Sequence, residues 1–81
     1  MKNPIEKLKE EKHLTNRDLA ILLGQSVGNI SHLILGNYTK IPPATLKVME
    51  KYGYDPDAMQ KEYKQFRNSQ RKLIEKKVAA I

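Results

Sequence analysis

TNRDLAILLGQSVGNISHLILG, residues 15–36, reads as two short helices separated by a tight turn at Gly24. Thr15 and Asp18 form a Thr-x-x-Asp capping pattern at the first helix start, and Leu14 is placed to pack on Leu19 as a hydrophobic staple. Leu19, Ala20 and Leu23 fall on one side of that helix. Gly24 ends it, because glycine takes the left-handed C-terminal conformation without strain. Ser26 is the next N-cap, opening a helix over Val27–Leu35 that Gly36 closes as Gly24 closed the one before. Within it Ile30, Leu33 and Ile34 make the inward stripe at i, i+3, i+4. Gly28, Ser31, His32 and Leu35 point outward, with Asn29 at the edge between faces.

Working outward, Asn3 caps a helix that begins at Pro4, with Glu6 near its positive end and Ile5 and Leu8 sharing one face; it runs to about Lys12. After Gly36 comes a polar loop, residues 37–41, and Pro42 and Pro43 then start a fourth helix with Leu46 and Met49 inward and Val48 and Tyr52 flanking. Gly53 closes it. Asp55, Pro56 and Asp57 open a fifth helix. At 100° per residue Met59, Tyr63, Phe66, Leu73, Ile74 and Ile81 share a stripe, but Gln70 and Lys77 fall on it too, which splits it into two apolar patches and argues against a regular coiled coil. The first patch is expected to dock on the preceding helices. Asn68 and Ser69 form the expected weak point between the two.

The 81 residues make one small all-α unit with a single modest core. With no cysteine and only His13 and His32, a disulfide framework and a structural zinc are both excluded, and no cofactor is expected. No apolar run is long enough for a leader or a membrane span, so the expectation is a cytoplasmic protein without membrane contact. A net charge of +6 favours a polyanionic partner. That excess is shared: residues 1–54 carry 8 basic and 5 acidic groups, residues 55–81 carry 7 and 4. No glycine-rich phosphate loop or histidine with an evident catalytic partner occurs, so the chain is not expected to be an enzyme.

A helix that ends at glycine and re-enters a second helix after about three residues can project the second into the DNA major groove while the first crosses the backbone. Residues 16–35 resemble the helix-turn-helix unit of Cro and the phage repressors (the XRE family): small Ala20, Gly24 four residues later in the turn, and Ile30 and Leu33 buried in the second helix. The resemblance extends over about residues 4–56. It implies a compact phage-repressor-like helix-turn-helix domain over residues 1–56; residues 57–81 lie outside it and add a longer, basic amphipathic C-terminal helix for docking or dimerisation, the fifth of the fold. It also implies base reading by Val27, Gly28, Asn29 and His32, with Ser31 near the rim. Phosphate contacts would fall on Asn16, Arg17 and Ser26, and on Asn37, Tyr38 and Lys40 in the following loop.

Residues 26–36 hold no Arg, Lys, Gln or Glu, so the commonest guanine-reading fork is absent from the outer face. Asn29 can pair with adenine, His32 can donate to guanine or phosphate, and Val27 can meet a thymine methyl. Direct readout is therefore expected to be sparse, with DNA shape and phosphate contacts carrying a larger share. The expected function is a transcriptional regulator, a repressor or Cro-like protein, that occludes an operator as a homodimer, since no separate sensor domain fits in the remaining residues. The alternative is a protein-interaction module of antitoxin or antirepressor type. Phe66, Leu73, Ile74 and Ile81 are the expected dimer or partner residues. The last helix itself has three readings: a dimerisation helix, an extra DNA-contacting arm, or a partner-binding segment. Ile21, Leu22 and Leu35 are exposed by helical phase, either as scattered surface residues or as part of a subunit contact.

Overall fold

The computed structural model describes residues 2–79, all of whose regular structure is α-helical: α1 Pro4–Glu11, α2 Asn16–Leu23, α3 Val27–Leu35, α4 Pro43–Lys51 and α5 Pro56–Ala79. Local chemistry accounts for each boundary. Asn3 accepts from the Ile5 N–H, Ser26 accepts from the Asn29 N–H, and the Thr15 hydroxyl and the Asp18 carboxylate cap each other's backbone at 3.1 and 2.9 Å. Gly24 and Gly36 end α2 and α3 with φ of +66° and +80°.

The first four helices and the first two turns of α5 enclose one core. Ile5 and Leu8 come from α1, Leu19, Ala20 and Leu23 from α2, Ile30 and Leu33 from α3, Met49 from α4, and Met59 and Tyr63 from α5. Leu14 is partly buried against this core, and Leu19 is fully buried within it. Tyr63 is fully buried, and its hydroxyl donates to the Tyr38 carbonyl at 3.2 Å. Burial pushes its phenol above the ordinary tyrosine range.

Helix α1 ends at Glu11, within a residue of the expected end, with Lys12 as its C-cap and His13 at φ +55° as the left-handed residue; the Leu14 N–H returns to the Lys9 carbonyl at 2.9 Å. The structure departs from the sequence reading in three places. The 37–41 loop is not polar throughout: Ile41 is fully buried, and the Gln60 amide takes both its N–H and its carbonyl at 2.8 and 3.1 Å, serving as a one-residue strand partner. Tyr52, expected to flank the core, is 60% exposed, while Thr45 is buried. Helix α5 does not weaken at Asn68 and Ser69. The Ser69 hydroxyl folds back onto the Phe66 carbonyl at 2.7 Å without breaking the helix, and Arg71 pairs with Glu75 one turn on.

Because α5 has 24 residues it is about 36 Å long and outruns the body formed by the other helices. The molecule measures 45 × 24 × 21 Å in consequence. Residues 71–79 are exposed throughout.

Candidate functional site

Helices α2 and α3 meet at 106° across a connection of residues 24–26. Ala20 is buried in the core, where a larger side chain would overpack it. This geometry turns one side of α3 away from the core. Val27, Gly28, Asn29 and His32 are all exposed on it and Ser31 is half-exposed, so the five residues expected to read bases share one outward surface. Val27 offers 47% of its surface to solvent.

His32 and Asn37 are joined at 2.9 Å through the His32 Nδ1. The Asn37 amide nitrogen can only donate, so Nδ1 accepts and the neutral ring carries its proton on Nε2. This leaves an Nε2–H donor on an exposed side chain. Asn37 is thereby committed to orienting His32 and has its carbonyl oxygen left for other contacts.

The remaining expected contact residues fall into two groups. Arg17, Ser26, Asn37 and Lys40 are exposed around the two ends of α3 and the start of α2. Tyr38 is half-buried against the core, and its carbonyl is occupied by Tyr63. Asn16 is also half-buried, with its Oδ1 closed off from solvent and without a partner among the described residues. Phosphate has no proton to give that oxygen, so any contact there falls to the amide nitrogen.

Gln25, the long amide just before α3, is already engaged: its Nε2 donates to the Thr45 hydroxyl at 2.7 Å. Phe66 sets its ring against Gly36, where an added Cβ would lie 2.8 Å from the ring edge. Leu73 and Ile74 are 61% and 59% exposed and Val78 adds a third apolar side chain to the same protruding stretch. Ile81 lies outside the described residues.

What sequence reasoning missed is how the far end of α3 is held. The last carbonyls of a helix have no partner within it. Here the Asn3 amide donates to Leu33 and Ile34 at 2.8 and 3.0 Å, Gln70 donates to Leu35 at 3.0 Å, and Arg67 donates to Gly36 at 3.0 Å. The cationic Arg67 also suits the negative end of the helix dipole. Asn3 is fully buried and serves two helices at once, starting α1 with its oxygen and closing α3 with its nitrogen. The one sequence signal was Gln70, a polar residue on an otherwise apolar stripe.

Among the described residues no three His, Asp or Glu side chains converge as metal ligands, and no single helix is long and apolar enough to cross a membrane. No protein-family model, curated protein or solved structure matches the chain.

Proposed function

We propose that this chain is a sequence-specific DNA-binding regulator of transcription in the helix-turn-helix manner of Cro and the phage repressors, with α3 entering the major groove. The observation that carries the reading is the pair α2 and α3: an angle of 106° across a three-residue turn with a left-handed glycine, and an outer α3 face free of core packing. Asn29 and the Nε2–H of His32 are the polar groups offered to base edges. Ser26, whose oxygen already accepts from the Asn29 N–H, keeps its hydroxyl proton for a phosphate at the positive end of α3. Regulation would follow from occlusion of an operator by two copies, with Leu73 and Ile74 in the contact between them.

Selection of bound sequences from random duplex DNA tests the reading directly. A two-fold motif with half-sites about one helical turn apart is the expected outcome for a dimer. His32→Ala and Asn29→Ala should each relax discrimination at particular positions by about 1–3 kcal/mol. Unchanged selectivity in both variants would remove direct readout from the proposal.

A second reading is favoured by the exposed apolar side chains of α5 together with Ile21, which is 70% exposed on α2. In it the fold binds a protein, as an antitoxin or antirepressor does, and DNA is not the ligand. Salt separates the two: affinity for duplex DNA must fall steeply with ionic strength if several phosphates are contacted. Absence of any duplex retardation at low salt would leave the protein-binding reading in place.

A further inference from the structure

A groove of about 530 Å³ lies between the 37–41 loop and α5, with Thr39 and Lys40 on one wall and Asp57, Lys61, Lys64 and Arg67 on the other. Four cations therefore face one carboxylate. None of the four has a carboxylate within 4.0 Å among the described residues, although the chain does pair its surface lysines elsewhere, as with Lys7 and Glu62 across α1 and α5. Leaving four positive charges together without pairing raises their mutual repulsion and gives the fold nothing in return. An anion in the groove removes that cost.

The groove adjoins the reading helix. The 37–41 loop leaves directly from the end of α3, and Arg67 is anchored to the Gly36 carbonyl through its Nε, which holds the guanidinium plane fixed and leaves its terminal nitrogens on the groove side for other acceptors. The basic row continues beyond it. Asn68, Arg71 and Lys72 line the next depression along the same side of α5, with Glu75 committed to Arg71. From Lys61 to Arg71 the helix advances about 15 Å, roughly four base steps of a duplex strand at about 3.4 Å each.

We propose that this groove and the α5 face continuing it form a second seat for the phosphates of duplex DNA, beside the backbone that flanks α3. The proposal rests on the DNA-binding reading above and extends the contact surface well past the helix-turn-helix unit. It also answers a deficit in that unit. Arg17 is the one lysine or arginine in residues 16–36, so most of the strand-tracking charge comes from the loop and α5. The groove is open along its length and suits a continuing polyanion better than an enclosed small molecule.

The experiment compares the intact chain with Lys61→Gln/Lys64→Gln and with Lys12→Gln/Lys51→Gln, a control that removes the same charge from exposed residues outside the groove. Affinity for a selected duplex is measured between about 50 and 200 mM salt. Every phosphate that is no longer neutralised makes the log–log slope shallower by about 0.9, so the groove variant should fall by about 1.8 and the control should barely change. Far-UV circular dichroism confirms that all three are equally helical. A groove variant with the slope and affinity of the control overturns the second seat while leaving DNA binding by α3 intact. Failure of the unmodified chain to bind any duplex at low salt overturns the DNA-binding reading itself, and the second seat with it.

Discussion

Replacing Asn3 with aspartate separates two roles that one buried side chain fills. Aspartate is as good an N-cap as asparagine, so the bond to the Ile5 N–H survives. The amide nitrogen does not. A carboxylate oxygen would stand in its place, 2.8 and 3.0 Å from the carbonyls of Leu33 and Ile34, with no proton to offer either. Losing two hydrogen bonds costs about 2 kcal/mol, and enclosing a charge at the negative end of α3 adds to it, for a total of about 3–5 kcal/mol. A chain of 81 residues has about 4–12 kcal/mol of stability in all, so the loss is about a quarter or more. Asn3→Ala should cost about 3 kcal/mol, through the lost cap and the lost bonds to the Ile34 carbonyl and to the Leu33 carbonyl, which keeps only the Gly36 N–H. Urea titrations followed by circular dichroism at pH 7 give both values. The aspartate defect should also shrink in acid, where a protonated carboxyl regains one donor. If Asn3→Asp matches the parent within about 0.5 kcal/mol while Asn3→Ala is destabilised, then only the α1 cap matters and the tie to α3 is incidental.

Further expectations concern the turns and caps. Gly36→Ala meets both a left-handed backbone and atoms of Gln70 and Phe66 at 2.7 and 2.8 Å, whereas Gly24→Ala meets the backbone cost alone; thermal melts should show losses of about 3 and about 1 kcal/mol respectively. His13→Gly relieves a left-handed non-glycine residue and should raise stability by up to about 1 kcal/mol, read as a higher urea midpoint. Asp18 is held below the ordinary carboxylate range, first by the Thr15 N–H and then by the Thr15 hydroxyl. The stability it contributes is complete above about pH 4, the unfolded value, and disappears as pH falls through the lower folded value. Asp18→Asn should therefore flatten the acid limb of a melting-temperature profile, and an unchanged limb would refute the box as its source.

The helices themselves were legible because their boundaries are written in local chemistry. Thr15 with Asp18, Ser26, Gly24 and Gly36 each act within one turn of the chain, and the 3.6-residue spacing of Leu19, Leu23, Ile30 and Leu33 assigns the inner faces. Long-range pairing was not legible. Nothing near Asn3 in sequence reports that its amide will meet Leu33 and Ile34, and nothing near Ile41 reports that Gln60 will satisfy its backbone. The same holds for buried Thr45, whose hydroxyl accepts from Gln25. On the candidate surface, phase alone sufficed to turn Val27, Gly28, Asn29 and His32 outward. It could not show that Asn37 orients the His32 ring or that Tyr38 is drawn inward. In α5, the polar interruption at Gln70 reads as a break in an apolar pattern and is in fact an anchor to α3.

The ties at the far end of α3 also order events during synthesis. Its carbonyls are held by residue 3 on one side and by residues 67 and 70 on the other, 30 to 35 positions away in either direction. A chain emerging from the ribosome carries both Asn3 and α3 well before Arg67 and Gln70. Until residue 70 is free, that helix has its N-cap, its packing on α2 and the Asn3 tie, but the Leu35 and Gly36 carbonyls at its very end still lack their side-chain partners. The last turn of α3 is thus completed late, only once α5 has closed on it.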